Sequence, residues 1–276
     1  MMLSFAKMHG LGNDFMVVDG VSQQVYFNEG QVRKLADRHR GIGFDQLLLI
    51  EPPPQPDVDF HYRIFNADGS EVAQCGNGAR CLTRFAREMG LTWKHKLRLS
   101  TMRGILNAQI TRNGLVSVEM GVPQLLPEQI PLRYAQQEKI YRVTVDGIGY
   151  EFGAVSMGNP HCVLTVEDIT TVDVDKIGRA LTAHNLFPEG VNVGFMQVIG
   201  DDEIRLRVYE RGVGETLACG SGACASAVVG RLQHQMRQKL RVFLPGGHLH
   251  IEWPGEGHPV RMMGPAEIVY QGYIEL

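Results

Sequence analysis

The chain repeats itself, so whatever fold it adopts must accommodate the same unit twice. At an offset of 144 residues, Glu71-Val72-Ala73-Gln74-Cys75-Gly76-Asn77-Gly78-Ala79 falls on Glu215-Thr216-Leu217-Ala218-Cys219-Gly220-Ser221-Gly222-Ala223. The same offset places Arg63-Ile64-Phe65-Asn66 on Arg207-Val208-Tyr209-Glu210. At 146, Gly12-Asn13-Asp14-Phe15 falls on Gly158-Asn159-Pro160-His161, and Gln46 falls on Asn192. The segments 28–40 and 173–184 also correspond, each opening on a residue type that caps helices. The order of these matches is kept from end to end, which marks a duplicated unit.

Each half reads as strands around one long helix. Asp59 to Phe65 and Glu203 to Tyr209 alternate polar with apolar residues, the pattern of half-buried strands. A glycine-containing turn follows each, then the cysteine, then a helix. In the first half Ala79, Leu82, Phe85, Ala86 and Met89 share one helix face, and Gly90 ends the helix. Ala223, Ala227, Val228 and Leu232 do the same in the second. Segments 97–119 and 240–269 add further strands, and Pro52-Pro53-Pro54-Gln55-Pro56 is a loop between strands. Domain boundaries are expected near Gly121-Val122-Pro123 and Gly264-Pro265, giving domains 1–120 and 121–264.

Bulk properties narrow the function. A net charge of -3 argues against a nucleic-acid partner or a polybasic membrane anchor. Lys7 and His9 stand where a secretory signal needs its apolar stretch, and no run is long enough to span a membrane. Five cysteines without framework spacing read as reduced thiols in a cytoplasm.

In each copy a strand delivers a cysteine to the first turn of a helix. Helix N-termini present unpaired N–H groups and positive potential, which favour thiolate over thiol. The glycines beside Cys75 and Cys219 let the backbone approach a ligand, so the same N–H groups can hold a carboxylate. Two such thiols flanking one α-carbon could remove a proton from one face and return one to the other. That inverts a stereocentre without a cofactor. Cys81, Cys162 and Cys224 do not recur between the halves and read as small buried hydrophobes. His248-Leu249-His250 lacks a set of metal ligands, so no metal is expected, and Gly10-Leu11-Gly12 and Gly41-Ile42-Gly43 lack phosphate-loop spacing.

At these motifs the chain resembles the diaminopimelate epimerase family essentially end to end. The resemblance is carried by Lys7-Met8-His9-Gly10-Leu11-Gly12-Asn13-Asp14-Phe15, Gly41-Ile42-Gly43-Phe44-Asp45-Gln46 and Asn66-Ala67-Asp68-Gly69-Ser70-Glu71 leading to Cys75. It continues through Met157-Gly158-Asn159-Pro160-His161 and Tyr209-Glu210-Arg211-Gly212-Val213-Gly214-Glu215-Thr216 leading to Cys219. The resemblance implies an α/β (α+β) fold of two similar pseudo-symmetric domains, each a curled, mostly antiparallel sheet around a central helix. The active site would lie in the cleft between them, and a C-terminal strand over 265–276 would rejoin the first domain. It implies a homodimer acting on a small-molecule substrate, diaminopimelate.

Carried over by motif, Cys75 and Cys219 are the acid–base pair. Gly76, Asn77, Gly220 and Ser221 would bind the reacting carboxylate through their backbone N–H groups. Asn13, Gln46, Asn66, Asn159, Asn192, Glu210 and Arg211 would form the rest of the pocket. Such a pocket suits a substrate with two zwitterionic ends. His161 and Glu210 would assist deprotonation of the thiols. Three rivals stand beside this reading. A proline or hydroxyproline racemase uses a similar thiol pair, though Asn77, Ser221 and Glu210-Arg211 favour diaminopimelate. A redox protein would cycle the two thiols through a disulfide, which in an epimerase would inhibit. A noncatalytic binding module leaves the paired thiols unexplained.

Overall fold

The computed structural model describes residues 2–73 and 75–276; Met1 and Gln74, the latter within the first cysteine motif, lie outside them. The chain divides into two units, residues 1–119 with 263–276, and residues 120–262.

In the first unit β1 (Met2–Gly10) and β2 (Asn13–Asp19) form an antiparallel hairpin, with Leu11 and Gly12 at positive φ in the turn. Helix α1 (Glu29–Ala36) crosses over to β3 (Gln46–Glu51), which lies parallel to β2. β4 (Phe60–Asn66) returns antiparallel to β3 and pairs with the short β5 (Glu71–Val72). Helix α2 (Gly76–Glu88) follows, then β6 (Lys96–Thr101), parallel to β4, and the antiparallel β7 (Gly104–Ile110) and β8 (Val116–Glu119).

The second unit starts with β9 (Tyr141–Val145), antiparallel to β10 (Ile148–Ser156). The first unit's order is then repeated: β11 (Pro160–Thr165), α3 (Val174–Thr182), β12 (Asn192–Val198), β13 (Glu203–Glu210), β14 (Gly214–Thr216), α4 (Gly220–His234), β15 (Lys239–Leu244), β16 (Gly247–Glu252) and β17 (Arg261–Gly264). Pairing directions repeat as well: β10–β11 antiparallel, β11–β12 parallel, β12–β13 antiparallel, β13–β15 parallel. Finally β18 (Glu267–Glu275) pairs antiparallel with β1, so it belongs to the first unit. The architecture is therefore two similar α+β units, each a mostly antiparallel sheet wrapped around a central helix.

The reason for the wrapping is visible in β3 and β12. Leu47 to Ile50 are all buried, with no alternation, because a helix covers each face. Leu47 and Leu49 pack with Val32 and Leu35 of α1, while Leu48 touches the start of α2 at Gly78. In β12, Val193 and Phe195 pack with Val174 and Leu181 of α3, while Gly194 and Met196 face Ser226 and Gly230 of α4. Each fully buried Leu, Val or Phe stabilises by about 1.5–3 kcal/mol, so these two layers define where α2 and α4 sit.

Two expectations need adjustment. α1 stops at Ala36 and not near Arg40, because the Asp37 carboxylate accepts the N–H groups of His39 (2.8 Å) and Arg40 (2.9 Å) and turns the chain. α3 likewise ends at Thr182. Both capping residues are as expected: Asn28 Oδ1 accepts from Gln31 N–H and Asp173 from Lys176 N–H. No helix among the described residues is long and apolar enough to cross a membrane.

Candidate active site: two thiol-capped helix turns

Cys75 and Cys219 are themselves the N-caps of α2 and α4, and both have extended backbone. Each sulfur accepts the N–H three residues on, from Gly78 and from Gly222, both at 3.4 Å. A side chain is excluded at Gly78 and crowded at Gly222. A Cβ on Gly78 would lie 2.4 Å from Tyr62 Oη, and one on Gly222 would lie 3.2 Å from Cys219 Sγ. The strands aim the turns through a repeated ion pair. Arg63 grips Glu71 with two bonds (2.8 and 2.9 Å), and Arg207 grips Glu215 the same way (2.6 and 2.8 Å). Bidentate pairs of this kind fix orientation, here of β4 on β5 and of β13 on β14, immediately before each cysteine.

Around Cys75, half-buried, the structure gathers Asn13 and Asn77. Asn13 Oδ1 lies 4.0 Å from the sulfur and accepts from Asn77 Nδ2 at 3.1 Å. Gln46 and Asn66 face each other across β3 and β4, with Gln46 Nε2 donating to Asn66 Oδ1 (3.0 Å). Asn66 Nδ2 in turn donates to Ser70 Oγ. Gln46 Oε1 is buried and has no hydrogen-bond partner among the described residues. Behind them lies a cluster that sequence reasoning did not pick out. Asp14 takes Arg38 (2.7 and 2.9 Å) and Lys7 (2.5 Å), and Lys7 also donates to the Gly43 carbonyl. Burial alone would raise the Asp14 carboxyl, but the bonds from Arg38 and Lys7 outweigh it and bring its pKa to about 2. The same contacts, led by the Asp14 hydrogen bond, push Arg38 further up.

Around Cys219, 4% exposed, the partners differ. Ser221 Oγ lies 3.7 Å from the sulfur and receives Asn159 Nδ2 at 3.3 Å. His161 Nε2 meets Asn159 Oδ1 at 3.1 Å. An amide oxygen only accepts, so Nε2 carries the proton in this arrangement. His161 is fully buried, and that burial, with Arg211 adding to it, drives its pKa down to about 3. The imidazole is therefore neutral. Asn192 Oδ1 accepts the Arg211 N–H (2.9 Å), and the Arg211 guanidinium bonds the Glu189 carbonyl. Glu210 receives Thr216 Oγ1 at 2.6 Å and also hydrogen-bonds the Cys219 thiol.

The helix-terminus argument for an acidic thiol fails at Cys219. Burial raises its pKa well above the ordinary value and the Glu210 carboxylate raises it again, outweighing the lowering by Ser221 and the Gly222 N–H. Cys219 is therefore a protonated thiol with a carboxylate in reach. Burial, partly offset by the Arg80 charge, also pushes Cys81 up to about 12, and Cys162 rises for the same reason of burial. These two are packing residues, as their failure to recur suggests. Among the described residues no group of three His, Cys, Asp or Glu stands close enough to hold a metal.

Comparison with known proteins agrees with the repeat. The diaminopimelate epimerase family model matches residues 5–126 and 153–269, one segment in each half. Among solved structures, a PhzF-family phenazine biosynthesis protein from Bacillus anthracis superposes with a TM-score of 0.70 at 15% identity, covering 100% of both chains. A hydroxyproline epimerase from Agrobacterium vitis gives 0.71 at 16% identity, over 99% of this chain and 92% of that one. A methylitaconate-delta-isomerase gives 0.68 at 13%, over 99% and 95%. At such identities the structures testify to the shared fold, and the family match carries the assignment. The chain belongs to the diaminopimelate epimerase family and is an isomerase of the epimerase type.

Proposed function

We propose that the protein interconverts LL- and meso-diaminopimelate by proton transfer at the α-carbon, with no cofactor, in the supply of lysine and of peptidoglycan precursors. The observation that carries the reading is the duplicated thiol-capped helix turn in a chain matched by this family's model. The N–H groups of Gly76, Asn77, Gly220 and Ser221 hold the reacting carboxylate. Negative charge grows on that carboxylate as the α-proton leaves, which is when helix N-termini help most.

In one direction Cys219 passes its proton to Glu210 and the resulting thiolate removes the α-proton. The Cys75 thiol gives its own proton to the opposite face of the same carbon. Cys219 ends protonated, Glu210 ends protonated and Cys75 ends as thiolate; Glu210 then releases its proton to water and Cys75 takes one up, which restores the starting state. In the other direction the two sulfurs change roles. His161, neutral and bonded to Asn159, acts by holding that amide and not as a base. Asn66, Gln46, Asn159, Asn192 and Arg211 serve the distant zwitterionic end. Support for diaminopimelate over proline comes from the surplus of polar groups, including the unmet Gln46 oxygen, which suits an ammonium.

A cytoplasmic setting suits a reaction that needs reduced thiols. A homodimer is part of the proposal, supported by Val269, Tyr270 and Tyr273 exposed along β18. The test of substrate is direct. LL-diaminopimelate should invert and exchange its α-hydrogen under reducing conditions, while proline and hydroxyproline should not. Turnover of proline with none of diaminopimelate would overturn the reading.

A further inference from the structure

Asn13 and Asn77 are joined at both ends to groups whose hydrogen-bonding polarity cannot change. Asn13 Nδ2 donates to Asp45 Oδ2 at 2.8 Å, and a carboxylate only accepts. Asp45 is held in turn by Arg38 (2.7 Å), which also grips Asp14. At the other end Arg80 Nη1 donates to Asn77 Oδ1 at 3.0 Å, and a guanidinium only donates. Arg80 is fully buried, with its Nε on the Pro265 carbonyl. Between the two, Asn77 Nδ2 donates to Asn13 Oδ1. Turning either amide over would set oxygen against carboxylate or NH2 against guanidinium.

Among the described residues the second unit shows no such lock. By the repeat, Asp45 corresponds to Val191, Arg38 to His184 and Arg80 to Cys224. Asn159 there lies between a serine hydroxyl and an imidazole, and both of those can donate or accept.

We propose that Asp45, braced by Arg38, and Arg80 are positioning residues that hold the Asn13 and Asn77 amides in one orientation, so that the Cys75 half-site keeps the Asn13 oxygen turned to the sulfur. The half-site at Cys219 can instead reverse its amide by a change of tautomer and hydroxyl rotation. This inference rests on the reading above that Asn13 and Asn77 line the substrate pocket.

Asp45 is the residue to vary, since its side chain is 44% exposed and its loss spares the core. Asp45→Ala should lower kcat/KM for diaminopimelate by about tenfold, the scale on which supporting hydrogen bonds act. Asp45→Asn, whose amide oxygen can still accept from Asn13, should recover most of the loss. Asp45→Ala added to Asn13→Ala should cost nothing more than Asn13→Ala alone. An unchanged Asp45→Ala, or losses that multiply in the double variant, would overturn the proposal. A second readout does not depend on turnover: the Asn13 side-chain amide signals in the NMR spectrum of the substrate-free protein. Asp45→Ala should shift them and leave those of Asn159 in place; unshifted signals would overturn the proposal. A parent protein that turned over no diaminopimelate would overturn the functional reading alone, and these signals would still decide the lock.

Discussion

The two cysteines share backbone setting, cap geometry and a glycine three residues on, yet their neighbours differ. Cys75 is half-buried, beside amides tied to Asp45 and to the buried Arg80. Cys219 is buried, and that burial, with the Glu210 carboxylate adding to it, holds its thiol pKa well above the ordinary value. A duplicated backbone supplies two places for a thiol, and the unduplicated side chains give each a different set of neighbours. Paired acid and base catalysis needs groups that can take different roles, and the Glu210 carboxylate gives Cys219 a proton acceptor where the repeat places Asn66 beside Cys75.

The largest effect that could break this comparison is removal of either sulfur. Cys75→Ala and Cys219→Ala should each cut epimerisation by at least ~10³-fold with substrate binding largely kept, since each removes one proton carrier. Substantial turnover by either variant, in a rate assay, would contradict two-thiol transfer. Next comes Glu210→Gln, which sharpens the contrast by moving two readouts in opposite directions. Turnover should fall by about 10²-fold as Cys219 loses its proton acceptor. Alkylation of Cys219 by iodoacetamide should speed up, because burial still raises the thiol but the Glu210 charge that added to it is gone.

His161 allows a test by pH. Its folded pKa is about 3 against an ordinary 6.5, so the unfolded chain takes up a proton that the folded protein refuses. Stability is full above pH 6.5 and declines as pH falls toward 3, by at most about 1.4 kcal/mol per unit. His161→Gln should flatten that decline in denaturant titrations, and an unaltered slope would argue against a neutral buried imidazole. Asp14 should give the smallest effect. Its carboxyl is lowered from 3.8 to about 2, so its contribution is present above about pH 4 and lost as pH falls through 2. The melting temperatures of the parent and Asp14→Asn should therefore differ most near neutrality and converge toward pH 2.

How much of this was legible in the sequence follows from what was duplicated. The repeat exposed β2, β3, β4 and the helices after each cysteine, because the same glycine turns and apolar runs recur at one offset. It singled out Asn13 and Asn159 for the same reason. By construction it was blind to Arg38, Asp45 and Arg80, whose counterparts are His184, Val191 and Cys224. Pairing between Arg63 and Glu71, and between Arg207 and Glu215, lay in plain view eight residues apart on both occasions. Alternation across a hairpin could have found it. The raised Cys219 pKa could not be read at all, because burial belongs to the packed protein and outweighs the local helix-terminus effect.

The central claim is that two sulfurs serve opposite faces of one carbon, and a single turnover in deuterium oxide tests it most directly. Inverted diaminopimelate should carry deuterium at the α-carbon in essentially every molecule, because its new hydrogen comes from the second, solvent-exchanged thiol. Inverted product that keeps the substrate's own α-hydrogen would mean that one base does all the work, and would contradict the account.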